Sequence, residues 1–165
     1  MVRTMAVGLI NRPTNRAPSR PANERAPKPL VLVVDDDKRQ AALRAELLSQ
    51  AGCTTVVAAT AADALTTIGD LIRLDLVVTD LHLGRHTEDR AGVVVAHAAR
   101  DRFPGIPVVA LVPYTSAPFV SEGDRSAFAT IVEKGVRNVP ELRAFVEQLA
   151  VLARNHLAST TGGTR

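Results

Sequence analysis

The sequence predicts an α/β fold, in which a five-stranded parallel sheet of the doubly wound type carries five helices on its two faces. Two observations predict it. Short apolar runs, typical of buried strands, alternate five times along the chain with stretches of helical periodicity. Hydrophobic residues make up 46% of the chain but aromatic residues only 3%, so the predicted core is aliphatic.

The first strand is the run LVLVV that begins at Leu30, and three acids, Asp35, Asp36 and Asp37, follow it directly. A short apolar run with polar flanks is typical of a strand buried on both faces of a parallel sheet. Ligands of such sheets bind beyond the carboxyl ends of the strands, which makes these acids candidate ligands. Asp37 is equally suited to capping the helix that follows.

The remaining elements follow from the change between strand and helix periodicity. The helix after Asp37 has a predicted inner face of Ala41, Leu43, Leu47 and Leu48, with Arg44 and Glu46 elsewhere. Later strands are predicted at Cys53–Ala59, Leu74–Asp80, Ile106–Val112 and Ala129–Glu133. Later helices are predicted at Ala61–Ile72 with Thr60 as N-cap, Ala91–Arg102 with Val93, Val94 and Ala98 inward, Ser116–Phe128, and Pro140–Ala153.

The alternation favours the flavodoxin-like strand order 2-1-3-4-5, in which strands one and three are neighbours. Asp36 and Asp80, which end these two strands, then converge on one cleft, and Lys134 ends strand five. Carboxylate oxygens are ligands that Mg²⁺ prefers. Carboxylates, a divalent cation and a lysine together form a site for a phosphoryl group, whose transfer requires positioning and charge neutralisation.

Residues 1–29 differ from the rest of the chain. They hold five of the ten prolines and six basic residues against one acid, which gives them a net charge of +5. The whole chain carries +3, so residues 30–165 carry −2. We therefore expect a disordered basic tail over 1–29, a domain over 30–153 and a flexible C-terminal tail over 154–165. The basic tail could contact nucleic acid or an acidic partner, or it could simply be solvated.

Several classes of protein are disfavoured. No apolar run approaches the ~18 residues of a membrane span, and no helix-turn-helix or zinc-finger pattern indicates a DNA-binding domain. The single cysteine, Cys53, rules out an internal disulfide and is compatible with a reducing compartment. We therefore expect a cytoplasmic protein.

The stretch from about Leu30 to Ala153 resembles the receiver domain of bacterial two-component response regulators. The resemblance rests on VVDDD after the first strand, DLVVTDLHLG at the third, PVVALVPY at the fourth and IVEKG at the fifth. The spacing also matches, because 44 residues separate Asp36 from Asp80 and 54 separate Asp80 from Lys134.

The resemblance implies a role for each site residue. Asp80 is the phosphoacceptor, which takes a phosphoryl group from a histidine kinase or a histidine phosphotransfer protein. Asp36 binds Mg²⁺ directly, Asp35 assists through water, and the backbone carbonyl of His82 is a further ligand. Lys134 pairs with Asp80 or the phosphoryl oxygens. By this resemblance the chain is a single-domain response regulator and not an enzyme. It would act by binding another protein or by relaying phosphate, and a homodimer is compatible with this role.

The sequence departs from the family at the positions that read out phosphorylation. Receivers usually carry Ser or Thr at the end of strand four, where this chain has Val112. The switch aromatic is replaced by Ile131 and the proline after the lysine by Gly135. The loop Leu81–Ala91 is longer than usual and lacks Met-Pro. We therefore expect intact binding chemistry and an altered conformational response.

Alternative functions remain open at this stage. A receiver fold that binds partners without phosphorylation would account for Val112 and Ile131. A phosphatase of the haloacid-dehalogenase type could use Asp35 and Asp37 as its Asp-x-Asp pair. Four residues of the long loop could hold a transition metal or could form an ordinary solvated loop: His82, His86, Glu88 and Asp89.

Overall fold

The computed structural model describes residues 27–84, 90–113, 120–135 and 138–162. Its strands are β1 Leu30–Val34, β2 Thr54–Ala58, β3 Leu76–Asp80, β4 Val108–Pro113 and β5 Thr130–Lys134. Its helices are α1 Lys38–Gln50, α2 Ala61–Asp70, α3 Ala91–Arg102, α4 Glu122–Arg125 and α5 Val139–Thr161.

All strand pairs are parallel and the strand order is β2-β1-β3-β4-β5, which confirms the predicted fold class. Val34 lies opposite Thr79 in the pairing of β1 with β3. Asp35 and Asp80, the residues that come next, therefore leave the sheet at the same level. Pro113 of β4 lies opposite Lys134 of β5, so the lysine is also at this carboxyl-terminal edge.

The sheet separates two mainly aliphatic cores, because alternate residues of each strand point to opposite faces. Val31 and Val33 pack on one face in a cluster that includes residues of α1 and α5. Leu32 and Val34 pack on the other face with residues of α2 and α3. Both faces of β1 and β3 are thus covered, which is why these strands consist of continuous apolar runs.

The predicted inner face of α1 was wrong in one respect. Leu43 is 45% exposed, whereas Arg44 is only 7% exposed and lies on the buried side with Ala41 and Leu48. These three residues have the spacing of one helical face. The guanidinium of Arg44 is tolerated there because it forms an ion pair with the buried carboxylate of Asp35.

The predicted inner face of α3 also needs correction, since Val94 is 53% exposed and Val95 is fully buried. The position of Gly92 explains this rotation of the helix. A Cβ atom on Gly92 would overlap the backbone oxygen of Asp80 and lie 2.8 Å from the Cα of Leu81. The glycine therefore faces the end of β3. With the helix held in this rotation, Val95 points into the core and Val94 points to solvent.

The helix predicted at Ser116–Phe128 is much shorter, because α4 covers only Glu122–Arg125. Residues 114–119 lie outside the described residues. The chain leaves the helix through tight turn hydrogen bonds, in which the N–H groups of Ala127 and Phe128 donate to the carbonyls three residues earlier at 3.1 Å. These bonds bring Ala127 and Phe128 into the core.

The last helix is longer than predicted and continues to Thr161, so the expectation of a flexible tail from residue 154 is corrected for residues 154–161. Leu157 extends the buried face of Ala150 and Ala153, and Arg154 donates a 3.1 Å hydrogen bond to the carbonyl of Ala51. The polar residues at the end of the helix remain helical because hydroxyls bond to earlier carbonyls, as in the 2.8 Å bond from Thr161 to Leu157.

Candidate functional site

Asp35 is the most deeply buried acid at the carboxyl-terminal edge of the sheet, with 1% of its surface exposed. Its Oδ1 accepts a 3.0 Å hydrogen bond from the backbone N–H of Asp37. Its Oδ2 accepts from Lys134 Nζ at 3.3 Å and from the Arg44 guanidinium. A buried carboxylate is stable only when such partners replace water, and Asp35 has them on both oxygens.

The two acids that follow Asp35 are exposed. Asp37 caps α1, because its Oδ1 accepts from the backbone N–H groups of Arg39 at 2.9 Å and Gln40 at 3.2 Å. The bond from Gln40, followed by the bond and charge of Arg39 and the more distant charge of Lys134, lowers the pKa of Asp37. Of the two roles predicted for Asp37, the structure shows the helix cap.

Asp80 is the last residue of β3 and is 5% exposed. Its Oδ2 accepts a hydrogen bond from Lys134 Nζ, and its Oδ1 accepts from the backbone N–H of His82 at 3.2 Å. Burial nevertheless raises the pKa of Asp80, because desolvation and the nearby Asp35 charge outweigh the charge and hydrogen bond of Lys134. The folded protein therefore disfavours the ionised form of Asp80, and a cation bound beside this carboxylate would favour it.

Lys134 connects the two buried carboxylates. It ends β5, and its side chain is 23% exposed. Because its Nζ contacts both Asp35 and Asp80, the lysine spans from the edge strand across β4 to the centre of the sheet. The expected pairing of Lys134 with Asp80 is present.

Oxygen atoms of Asp35, Asp36 and Asp80 all lie within 4.8 Å of one another. This donor set consists entirely of carboxylates, two buried and one exposed, and its chemistry fits Mg²⁺, which takes oxygen ligands and retains water. Asp35 and Asp36 also line a cleft of about 500 Å³, whose other walls include Lys134, Leu142 and Phe145. A metal at the acids would therefore be accessible from solvent. The ligand role of the His82 carbonyl stays a prediction.

The two atypical switch positions are apolar and packed. Val112 is fully buried in β4, and Ile131 is a half-buried residue that packs against the same core cluster. Neither offers a hydroxyl or an aromatic ring. The hydroxyl of Thr79 lies next to Asp80, but it donates a 2.9 Å bond to the Asp80 backbone carbonyl. Thr115 and Ser116 lie outside the described residues.

Two arginines tie α4 to α3. Arg90, which precedes α3 at the end of the long loop, forms an ion pair with Asp124 of α4. Arg100 donates a 2.7 Å hydrogen bond to the backbone carbonyl of Ser126. Neither contact was predicted, because both depend on how α3 and α4 are placed side by side.

Arg44 is the site residue that sequence reasoning missed. A usable signal was present, since Ala41, Arg44 and Leu48 have the spacing i, i+3 and i+7 of one buried helical face. A charge on such a face needs a partner, and the acids after β1 were the nearest candidates. The alternative metal cluster in the long loop is different: His86, Glu88 and Asp89 lie outside the described residues, so it stays a prediction.

Within the described segments, no helix is both long enough and apolar enough to cross a membrane.

A family model described as "Response regulator receiver domain" matches residues 31–147. The N-terminal domain of a response regulator/sensory box/GGDEF 3-domain protein from Carboxydothermus hydrogenoformans is 29% identical, with a TM-score of 0.60, covering 78% of this chain and 98% of that one. The receiver domain of NtrX from Brucella abortus is 25% identical, with a TM-score of 0.58, covering 77% and 97%. A receiver domain protein from Clostridium thermocellum is 16% identical, with a TM-score of 0.61, covering 81% and 97%. Among curated proteins, none matches the chain.

Proposed function

Because this chain belongs to the family of response regulator receiver domains, we propose that it accepts a phosphoryl group on Asp80 from a histidine kinase or a histidine phosphotransfer protein. The observation that carries the proposal is the bridge of Lys134 between Asp80 and Asp35, within a group of three carboxylates at adjacent strand ends. This arrangement provides a nucleophile and a fixed cation at one point.

In the proposed reaction, one carboxylate oxygen of Asp80 forms a bond to phosphorus, while the bond between phosphorus and the donor imidazole nitrogen breaks. The electron pair of the broken bond stays on that nitrogen. Lys134 is placed to neutralise the phosphoryl oxygens, since it already contacts the carboxylate that is attacked. The N–H of His82 holds Asp80 in position from its other oxygen. Positioning and charge neutralisation are the main requirements of phosphoryl transfer.

The metal of this reaction is Mg²⁺, which when bound supplies positive charge to the phosphoryl oxygens. Asp36 and Asp80 are the residues that would hold it, with Asp35 behind them and the backbone carbonyl of His82 as a further ligand. Asp36 is suited to direct contact because it is the exposed member of the group. The chain then acts by protein–protein interaction, and the kinase, the target and the oligomeric state are open to experiment.

A second candidate is a receiver that binds its partners without phosphorylation. The packed, apolar side chains of Val112 and Ile131 favour it, because they give a phosphoryl group no hydroxyl to draw inward. A haloacid-dehalogenase-type phosphatase fits less well. It needs the second acid of Asp35 and Asp37 for catalysis, and Asp37 is engaged as the cap of α1.

The two candidates are distinguished by intact-mass measurement after incubation with acetyl phosphate and Mg²⁺. We expect the protein to gain the mass of one phosphoryl group and Asp80→Asn to gain none. Asp37→Asn is a matched control, because asparagine caps a helix about as well as aspartate, and it should gain the same mass as the wild type. Mass gain by Asp80→Asn would contradict the assignment of Asp80, and no gain by the wild type would favour the phosphorylation-independent candidate.

A further inference from the structure

Arg44 is a buried cation in the wall of the acidic cleft. It belongs to α1, its side chain is 9% exposed, and it lines the cleft together with Asp35 and Asp36. Its Nη1 donates to Asp35 Oδ2, and its Nη2 lies 3.4 Å from Gln40 Oε1. A guanidinium remains protonated at all ordinary pH values, so this positive charge is permanent.

Both oxygens of Asp35 accept hydrogen bonds, and the two donors on Oδ2 are cations. Oδ2 already accepts from Arg44 and Lys134, and Oδ1 accepts from the backbone N–H of Asp37. A carboxylate oxygen has two lone pairs, so Oδ1 can still accept one further bond, whereas a metal ion or its bound water at Oδ2 would compete with Arg44 and Lys134. Lys134 forms ion pairs with both Asp35 and Asp80. Within the described residues, Arg44 forms an ion pair only with Asp35.

The net charge of the site also indicates that Arg44 weakens the attraction for Mg²⁺. Asp35, Asp36 and Asp80 supply three negative charges, and Arg44 and Lys134 supply two positive charges. One net negative charge is therefore left to attract a divalent cation. Without Arg44 the group would carry two net negative charges. At separations of a few ångströms, a difference of one charge changes the attraction for Mg²⁺ substantially.

We propose that Arg44 is a positioning residue that holds the Asp35 carboxylate and thereby weakens the binding of Mg²⁺ at the phosphoacceptor site. This inference rests on the proposed function, since it concerns the metal that the function uses. Arg44 would then be a second internal cation that competes with Mg²⁺, in addition to Lys134, which pairs with Asp80.

The test is a direct measurement of Mg²⁺ affinity by calorimetric titration of the full chain, with no phosphodonor present. Arg44→Gln, which removes the charge and retains a hydrogen-bonding side chain, should bind Mg²⁺ about tenfold more tightly than the wild type. Arg44→Lys, which retains the charge, should stay much closer to the wild type. Arg39→Gln removes a charge from an exposed position of the same helix and should change the affinity by no more than about twofold, since exposed charges are screened.

A second measurement uses the wild-type protein, so it does not depend on the variants folding. The guanidinium NMR signals of Arg44 should shift as Mg²⁺ saturates the site, because Mg²⁺ and the arginine compete for the Asp35 carboxylate. Unchanged Arg44 signals at saturation, or an Arg44→Gln affinity equal to or below that of the wild type, would overturn the role of Arg44 and leave the metal site intact. Failure of every variant and of the wild type to bind millimolar Mg²⁺ would overturn the metal site and this inference together.

Discussion

Gly92 offers the sharpest test of how α3 packs against the end of β3, the strand that carries Asp80. A Cβ atom at this position would overlap the backbone oxygen of Asp80 and would lie 2.8 Å from Leu81 Cα and 3.0 Å from the Leu81 carbonyl oxygen. These are backbone atoms, so no side-chain rotation can relieve the clash. Gly92→Ala must therefore push α3 away from the end of β3 or shift the peptide between Asp80 and Leu81.

The expected cost follows from two opposing effects. Forcing an extra methyl group into a packed core costs roughly 1–3 kcal/mol, and contact with three backbone atoms places this site at the upper end. Replacing glycine by alanine inside a helix stabilises the helix by up to about 1 kcal/mol. We therefore expect Gly92→Ala to lower the free energy of unfolding by about 2 kcal/mol, which corresponds to a fall of about 6 °C in the melting temperature.

Gly69→Ala is a matched control in the same kind of element. Gly69 lies in α2, and a Cβ atom there meets nothing within 4 Å, so the same substitution should stabilise the protein by about 0.5–1 kcal/mol. Urea denaturation followed by far-UV circular dichroism suits this chain, which has no tryptophan. The reasoning would be refuted if Gly92→Ala were as stable as Gly69→Ala.

Three further predictions concern the site, the tail and the switch. Because burial raises the pKa of Asp80 above its unfolded value, ionised Asp80 costs stability, and stability is lost as pH rises between the two pKa values. Apo Asp80→Asn should therefore melt higher than the wild type at pH 7, and thermal melts at lower pH should show the difference shrinking; a constant difference would contradict this. Deleting Met1–Pro27 should change the melting temperature by less than about 1 °C, because the tail lacks the apolar surface to pack, and a fall of several degrees would show docking. Beryllofluoride at Asp80 should shift amide NMR signals at 126–139 less than those at 81–91, because Val112 and Ile131 provide little differential affinity between states; comparable shifts would indicate that another hydroxyl substitutes.

Most of the sheet could be predicted because its signals are local. An apolar run between polar residues identifies a strand whatever its neighbours are, and the alternation with helices constrains the strand order. Asp35, Asp36, Asp80 and Lys134 came together as expected for this reason, since each ends a strand and parallel strands end at one edge. The positions of these four residues at the ends of parallel strands are enough to bring them together, so the prediction did not require knowledge of side-chain packing.

What could not be predicted depends on packing between elements. Leu43 is exposed and Arg44 is buried because Arg44 pairs with Asp35, which follows β1, and a pattern of apolar residues alone does not count a charged residue as part of the buried face. Val94 turns outward because Gly92 must face the Asp80 carbonyl. The helix α5 continues to Thr161, and Leu157 within this extension is buried. In these cases packing against other parts of the fold overrides the local pattern.

The strand that carries Lys134 has a consequence for how the site can be lost. Among the strands that the structure describes, β5 pairs only with β4, and its residues are half-buried or exposed, so it is the least protected strand on that side of the sheet. Subglobal openings begin at such marginal elements and cost less free energy than complete unfolding. When β5 separates from β4, the ammonium group leaves Asp35 and Asp80, while β1 and β3 keep both acids in place. Hydrogen exchange in β5 therefore measures how often Asp80, the proposed phosphoacceptor, loses the charge of Lys134 in an otherwise folded molecule.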